Sequence, residues 1–339
     1  MVLTRSEQEM ARVCGEMQRW LEGDFEVNKS YYSVDGLCFC LPDAQRLGDA
    51  DQLLDYLDFL TIQRTSGTID QTDLEQDARF REFTLARDYL PKALLNDTLE
   101  VFYQPLFDAH TGAFSGFECL SRMSVPGYGY VNPELFISIA NDEGLLPTLS
   151  DLQISKICDF VSGHRQELER LGVQDFKINI SSSEMLQNNL AQRLLNRFDA
   201  VGLDPALFTF EITESVAVVY DDVVRALMAR LKERGCRFYL DDFGSGYSNL
   251  TTVMELPFDG VKMDKSMMAL SAADEKSALL YLDVVHMMKR QGLKVVSEGV
   301  ETASQAKELM EWGVDYLQGY YYSKALPTDE VLSFLTAAR

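Results

Sequence analysis

The chain has 339 residues, of which 46% are hydrophobic and 25% charged, and it carries a formal net charge of −22. This length and composition predict a globular protein with one large domain and a smaller piece. The acidic excess argues against binding to a nucleic-acid polymer or an anionic membrane, which use Lys and Arg clusters, so an anionic substrate would need metal ions to bridge it to the protein.

The residues available as metal ligands favour oxygen donors. The six cysteines form no CxxC pair and the three histidines are scattered, so a zinc site is not expected. A bound metal would instead be magnesium or manganese. The cysteines, the lack of a signal-peptide pattern and the lack of an apolar run of roughly 18–20 residues predict a cytoplasmic chain without a membrane segment, either alone or as a fragment of a membrane-anchored sensor.

Residues 1–90 predict a small α/β segment in which no motif carries obvious chemistry. The predicted elements are a helix at Glu7–Leu21, a strand at Tyr31–Leu41, a helix at Asp49–Gln63, a loop at Thr65–Asp77 and a linker helix at Phe80–Leu94. This segment is expected to be a partial module or a docking segment. We therefore predict two domains, residues 1–90 and residues 91–339.

From Leu99 onward, short apolar runs alternate with helical segments, which is typical of parallel β/α architecture. Only six residues, which include Asp108–Gly112, separate the first two runs, so these two strands should pair antiparallel. The predicted strands are Leu99–Phe107, Phe114–Arg122, Phe176–Ile180, Leu207–Ile212, Cys236–Asp242, Gly260–Met263, Lys294–Glu298 and Tyr316–Tyr320. The predicted helices are Pro133–Glu143, Leu149–Leu171, Ser183–Val201, Ser215–Arg234, Ala273–Gln291 and Ala303–Trp312. The pattern predicts a (β/α)8 TIM-like barrel with a modified, antiparallel first strand pair.

Seven successive strands carry an oxygen or amine group at or near the C-terminal end. In such a barrel, the residues that form the active site come from these ends, so the groups should meet at one rim. They are Glu118, Asn179, Glu211, Asp241 with Asp242, Lys262, Glu298 and Gln318. Each of these residues could instead have a structural role without function: Asn179 could cap the next helix, Glu211 could be a surface carboxylate and Lys262 could be a solvated lysine. Every one of these structural roles would have to be correct at the same time to exclude an active site at this rim.

Asp241 and Asp242 close the fifth strand and are followed by Gly244 and Gly246. Adjacent strand residues point to opposite faces, so both carboxylates reach one point only where the strand breaks, and glycines permit such a break. Two anions this close repel each other unless a cation lies between them. The pattern predicts one or two divalent metals, with a solvated turn before a helix cap as the alternative.

Together these motifs resemble the EAL domain, a family of bacterial phosphodiesterases that linearise cyclic di-GMP. The resemblance runs from about Leu99 to the C-terminus. It is carried, in order, by YQPLFDAHTGAFSGFECLSR, INISSSE, FEITES, YLDDFGSGYSNLTTVMELPFDGVKMD, VSEGVE and LQGYYYSKALP. Cys119 and Ser297 stand where alanine is usual, and Met123 where the family often has an aromatic residue, but no metal ligand is replaced.

The resemblance implies a role for each residue at the rim. The implied metal ligands are Glu118, Asn179, Glu211, Asp241 and, for a second metal, Asp242, so two Mg²⁺ or Mn²⁺ ions are expected per active site. The implied catalytic residues are Lys262, which would hold and polarise the attacking water, Glu298 and Glu118. Gln104, Arg122 and Gln318 are expected to contact the substrate, and Glu214 is expected to anchor the loop after Asp242.

The expected function is metal-dependent hydrolysis of cyclic di-GMP to linear pGpG in the bacterial cytoplasm. A catalytically idle receptor of cyclic di-GMP and an idle scaffold are the alternatives. The loop after Asp242 and the helix Tyr247–Glu255 resemble the family's dimerisation region, so a homodimer is expected. Residues 1–90 more weakly resemble a partial, degenerate GGDEF (diguanylate cyclase) domain that lacks its signature and its phosphate-binding half, which excludes cyclase activity.

Overall fold

The chain divides into two compact units in the computed structural model. One comprises Met1–Leu95 with Ser124–Asp142, and the other comprises Asn96–Met123 with Glu143–Arg339. The structure describes residues 78–187, 189–213, 221–245, 250–271 and 274–338, and within the first 77 residues only 12–13, 16–17, 24–27, 30–33, 39–40, 56–57, 59 and 67–68.

The first unit combines two described helices with short strand pairs. The helices are α1 (Ala78–Leu95) and α2 (Pro133–Asp142). The strand pairs are Asp24–Val27 with Ser30–Ser33, Phe39–Cys40 with Gly67–Thr68, and Ser124–Val125 with Gly129–Tyr130. The predicted linker helix is present. The loop predicted at Thr65–Asp77 contains a two-residue strand, Gly67–Thr68. A local pattern does not reveal this strand, because its partner Phe39–Cys40 lies far away in the sequence. The helices predicted at Glu7–Leu21 and Asp49–Gln63 fall mostly outside the described residues.

The second unit is a closed barrel. Its strands are β1 (Glu100–Asp108), β2 (Ala113–Arg122), β3 (Asp175–Ile180), β4 (Phe208–Thr213), β5 (Arg237–Phe243), β6 (Gly260–Met263), β7 (Lys294–Ser297), β8 (Tyr316–Leu317) and the short β9 (Leu326–Pro327). β1 pairs antiparallel with β2, and β2 through β8 follow one another in parallel. β8 closes the barrel on the second half of β1, while β9 pairs with its first half. The predicted eight-stranded barrel with an antiparallel first pair is confirmed.

Helices cover the outside of the barrel. They are α3 (Leu146–Gly163), α4 (Arg165–Leu171), α5 (Ser182–Met185), α6 (Leu190–Ala200), α7 (Asp221–Lys232), α8 (Leu250–Glu255), α9 (Lys265–Ser271), α10 (Glu275–Arg290), α11 (Ala303–Glu311) and α12 (Val331–Ala337). The single helix predicted at Leu149–Leu171 is wrong, because His164, with φ −120° and ψ 19°, interrupts it. The helix predicted at Ser183–Val201 is likewise two helices. None of the described helices has both the length and the apolar character needed to cross a membrane.

The alternation along β4 shows how the two faces of the barrel differ. Phe208, Phe210 and Ile212 are fully buried in the large apolar cluster that also contains residues of the outer helices, and Phe198 of α6 stacks on Phe208 at 4.1 Å. Thr209 and Glu211 have the opposite parity and therefore face the barrel interior. The period-2 pattern thus directs phenylalanines outward to the helices and polar groups inward.

Asp315, just before β8, ties the lower end of the barrel together. Its side chain is 1% exposed and accepts hydrogen bonds from Lys289 at 2.6 Å, Lys294 at 2.9 Å and the Val295 N–H at 2.9 Å. Burial would raise the pKa of Asp315, but these donors outweigh burial and hold that pKa below its usual value. The ionised carboxylate therefore stabilises the folded state.

We predict that Asp315→Asn lowers the free energy of unfolding at pH 7 by about 1–3 kcal/mol, since Lys289 and Lys294 reach water and regain part of their hydration. The pKa of Asp315 is lower in the folded than in the unfolded state, where it is about 3.9. Its contribution is therefore present above that pH and lost as the pH falls through the folded pKa. The unfolding temperatures of the wild-type protein and of Asp315→Asn should converge as the pH falls from 7 to 3. Asp283→Asn, at an exposed position, is the control. A constant difference over that range would contradict the assignment.

Candidate active site

A buried ammonium group lies at the centre of the carboxylates at the C-terminal rim. The Nζ atom of Lys262, on β6, is 2.9 Å from Glu118 Oε2, 3.2 Å from Glu211 Oε2 and 2.7 Å from Glu298 Oε1. It is also 3.5 Å from Asp241 Oδ1, and the Lys262 side chain is 2% exposed. The barrel thus brings together groups from β2, β4, β5, β6 and the end of β7, as the sequence predicts.

Glu118, on β2, is held from three sides. Asn179 Nδ2 donates to its Oε1 at 3.0 Å, Gln318 Nε2 donates to its Oε2 at 2.6 Å, and Lys262 lies against the same oxygen. Asn179 does not cap the following helix, because Ser181 forms the capping box with Glu184. The amide of Asn179 is therefore left at the rim with its carbonyl oxygen available as a ligand.

A β-bulge brings Asp241 and Asp242 to the same rim. Leu240 pairs with Val261 and Phe243 pairs with Met263, so β5 has one more residue than β6 between the two pairs. Asp242 itself takes the left-handed conformation, with φ 55°. The break therefore falls at Asp242, two residues before Gly244, whereas the sequence analysis assigned it to the glycines. Bulges of this kind redirect side chains next to active sites.

Gly244 is required for a different reason. Its φ is 94°, and a Cβ atom there would lie 1.9 Å from the Sδ atom of Met267 on α9. The backbone N–H of Asp264 also donates to Phe243 O at 3.1 Å. The end of β5 is thus tied to the residue after β6, and a side chain at position 244 would strain the backbone and displace the Met267 side chain.

Asp264 is a site residue that the sequence analysis did not single out. One oxygen from each of Asp242, Asp264 and Glu298 lies within 4.8 Å of the other two, a spacing that could hold a metal ion. Asp264 is two residues after Lys262 in VKMD, at the C-terminal end of β6. The strand-end rule used for the other residues would have identified it.

Crowding of the carboxylates shifts their proton affinities. Burial is the main cause that raises the pKa of Glu211 to about 8 and that of Glu298 to about 7. Neighbouring carboxylates raise these pKa values further, and the charge of Lys262 opposes the shift. Burial and Asp241 raise the pKa of Asp242 to about 6. Burial opposes the charged form of Lys262, but the four carboxylates outweigh it and raise the pKa of Lys262 well above its usual value. Glu211, Asp242 and Glu298 therefore bind protons more readily than ordinary carboxylates, and an additional cation at the site would oppose this.

The donor set fits hard divalent cations. All the candidate ligand atoms are carboxylate or amide oxygens, which suit magnesium and manganese and do not suit zinc or copper. Two buried acceptors, Glu211 Oε1 and Gln318 Oε1, also receive no hydrogen bond from the described residues. Buried acceptors of this kind call for a cation or another donor.

The remaining predicted residues lie around this centre. Gln104 on β1 pairs in register with Glu118, and its amide is 3.4 Å from Ser323 O. Arg122 lies four residues beyond Glu118, about 13 Å along an extended strand, and its guanidinium lies over the ring of Phe102. Glu214, the predicted loop anchor, lies outside the described residues.

A second internal lysine was also not singled out. Lys177 on β3, two residues before Asn179, has a fully buried side chain, 3.9 Å from Glu211 Oε1. Its signal in the sequence was its position in KINIS, where the residues two apart share a face.

Comparisons with known proteins identify the family. The profile of the family described as EAL domain matches residues 87–325. The chain is 33% identical over 251 residues to the cyclic di-GMP phosphodiesterase NbdA of Pseudomonas aeruginosa, covering 74% of this chain and 32% of that protein. It is 31% identical over 243 residues to the cyclic di-GMP phosphodiesterase PdeL of Escherichia coli K12, covering 71% of this chain and 66% of that protein. The chain thus spans a third to two thirds of these relatives.

A solved structure titled PaMucR phosphodiesterase, c-di-GMP complex, superposes with a TM-score of 0.68 at 27% identity. The match covers 73% of this chain and 99% of that chain. The matched part therefore corresponds to nearly the whole of a solved phosphodiesterase chain.

We predict opposite effects on metal binding from two substitutions at the centre. Glu118→Gln removes the charge of a candidate ligand and should weaken Mn²⁺ binding by at least about 10-fold. Lys262→Met removes a competing cation and should leave Mn²⁺ binding equal or tighter. Calorimetric titration with Mn²⁺ measures both, and the exposed pair Glu311 and Lys307 supplies the matched controls Glu311→Gln and Lys307→Met. Equal weakening in both central variants would show that they act by disturbing the fold.

Proposed function

The chain belongs to the EAL domain family, and on that basis we propose that it hydrolyses cyclic di-GMP to linear pGpG with the help of two divalent metal ions. The observation that carries the proposal is the cluster around Lys262, in which one buried ammonium contacts four carboxylates at the rim of the barrel. Such a cluster is costly to bury without a function that needs it.

The ligand set supports two metal positions. Glu118, Asn179, Glu211 and Asp241 would hold the first ion, and Asp242, Asp264 and Glu298 would hold the second. EAL phosphodiesterases depend on divalent metals, and Mg²⁺ or Mn²⁺ fits these oxygen donors. When bound, the ions would supply positive charge to the phosphodiester and lower the pKa of a water molecule.

The residues of the chain itself would orient the reaction. Lys262, with its ammonium held among the carboxylates, would donate a hydrogen bond to the attacking water and fix its position. The same charge would stabilise the negative charge that develops on the phosphate. Glu298, 2.7 Å from Lys262 Nζ, would help to hold that ammonium in place. Gln318 would keep Glu118 aligned.

Substrate binding would extend beyond the metals. Arg122 is suited to a phosphate or to a guanine base, because its guanidinium presents several donors in one plane. Gln104 offers an amide at the mouth of the same rim. A cyclic dinucleotide is large enough to span from the carboxylates to Arg122.

The proposed activity predicts that the protein converts cyclic di-GMP to pGpG with Mg²⁺ or Mn²⁺ and loses activity on exhaustive chelation. Ca²⁺ should inhibit, since it is larger and less demanding of octahedral geometry. Lys262→Met should lower kcat by about 10²-fold or more with little change in KM, and Lys307→Met should not. Chromatography of the nucleotides measures each rate.

Each other outcome of this assay has a distinct meaning. Binding of cyclic di-GMP without turnover would identify a receptor, and neither binding nor turnover would identify a scaffold. Wild-type turnover by Lys262→Met would show that Lys262 does not position the attacking water. Activity that survives chelation would rule out the metal-dependent mechanism.

We also propose a homodimer through the region after Asp242. In helix α8, Leu250 is 46% exposed and Met254 is 79% exposed, which is apolar area that a second copy could cover. Residues 246–249 of the predicted interface lie outside the described part of the chain. Coupling to the site would pass through Gly244 and Met267.

This assembly predicts that Met254→Glu shifts the protein from dimer to monomer in light scattering and reduces turnover. Leu95→Glu, at a position 86% exposed in the other unit, is the matched control and should change neither. A wild-type protein that is monomeric and fully active at low concentration would contradict the proposal.

We further propose that the protein is located in the cytoplasm. Cys119, Cys158 and Cys236 are free, buried thiols, which supports a reducing compartment such as the cytoplasm. We propose that residues 1–90 are a partial, degenerate GGDEF-like or docking segment that does not make cyclic di-GMP. Incubation with GTP should yield no product.

A further inference from the structure

The side chain of Lys177 is fully buried inside the barrel, below the candidate metal ligand Asn179 on the same strand. It lies on β3 two residues before Asn179, and its side chain is 0% exposed. The two-residue spacing places both side chains on the same face of the strand. Removing an ammonium from water is costly, so its position calls for a compensating interaction.

Three strands together make room for this ammonium. The Nζ atom of Lys177 lies 3.5 Å from the centroid of the Tyr239 ring on β5. A Cβ atom at Gly260 on β6 would lie 2.6 Å from two atoms of the same ring. Glycine at position 260 therefore lets the ring take the place that supports the lysine through a cation–π contact.

Two carboxylates face the ammonium, and they differ in what else they contact. Asp175 Oδ2 is 3.3 Å from Lys177 Nζ, but the other oxygen of Asp175 already binds Arg237 at 3.0 Å and Thr209 at 2.6 Å. Glu211 Oε1 is 3.9 Å from Lys177 Nζ and receives no hydrogen bond from the described residues. Because Asp175 has Arg237 as a second cation, the charge of Lys177 is available to Glu211.

Glu211 therefore lies between two lysines. Its Oε2 atom is 3.2 Å from Lys262, and its Oε1 atom faces Lys177. A carboxylate attracted from both sides in this way cannot rotate freely. Side chains that hold a metal ligand from behind fix its orientation, and their loss typically weakens metal binding by about 10–100-fold.

We propose that Lys177 is a positioning residue for the metal site: its ammonium, supported on the ring of Tyr239, holds Glu211 in the orientation that presents Oε2 to the rim. The inference rests on the proposed function, since it takes Glu211 as a metal ligand. It assigns to the interior of the barrel a part in metal binding that the rim residues alone do not explain.

The test is Mn²⁺ binding to Lys177→Met, followed by calorimetry and by the electron paramagnetic resonance of free Mn²⁺. Methionine keeps most of the side-chain volume and removes the charge. The Kd for Mn²⁺ should rise about 10-fold. Turnover should fall at limiting Mn²⁺ and return close to the wild-type kcat at saturating Mn²⁺, because Lys262 is untouched.

Lys289→Met is the matched control for a merely structural effect. Lys289 is also paired with a buried carboxylate, but its partner is Asp315 at the lower end of the barrel. This substitution should lower the unfolding temperature and leave the Kd for Mn²⁺ at the wild-type value. Lys177→Gln, which is also neutral, is the second variant if Lys177→Met does not fold, and the same weakening is expected of it.

A wild-type or tighter Kd in the folded Lys177 variants would overturn the proposal. Equal weakening in Lys289→Met would also overturn it, since the effect would then be general loosening of the barrel. Failure of the proposed function looks different: the wild-type protein would bind Mn²⁺ and not hydrolyse cyclic di-GMP, while the effect of Lys177 on the Kd persisted.

Discussion

The contact of one buried ammonium with four carboxylates is the interaction on which the rest of the site depends. Without Lys262, the anionic side chains of Glu118, Glu211, Asp241 and Glu298 would repel one another in a region with little water. With it, they are held close enough to act together, yet burial and the neighbouring carboxylates still raise the pKa values of Glu211 and Glu298 against the charge of Lys262. The site is therefore poised to accept further cations.

The closed barrel is what allows such a cluster to exist. Each strand contributes one or two polar groups to the rim, and the parallel arrangement of β2 to β8 brings those ends together from distant parts of the chain. The outward faces carry the apolar residues that hold the strands against the helices, such as Phe208 against Phe198. The stability of the scaffold and the chemistry of the rim thus use alternate residues of the same strands. The cost of burying charge is offset by packing on the opposite face.

The interior of the barrel also contains polar groups, which extend the site downward. Below the rim, Lys177 rests on Tyr239, and Asp175 joins it to Arg237 and Thr209. Above, Asp242 adopts a left-handed conformation within a bulge so that its carboxylate meets Asp264 and Glu298. Strained or buried polar arrangements of this kind persist where the surrounding structure holds them in place. They mark where this chain favours function over simple packing.

The sequence by itself determined the architecture and the residues at the rim. Strands of alternating polarity, the short connection after β1 and the polar strand ends are local patterns, and they predicted the barrel and the residues that meet around Lys262. Tertiary structure alone decided the rest, because it depends on contacts between distant segments. Strand register placed the bulge at Asp242, and packing around Gly260 placed the ring of Tyr239 against Lys177. The break of the long helix at His164 is of the same origin, since a continuous helical pattern does not reveal where the chain must turn to follow a barrel.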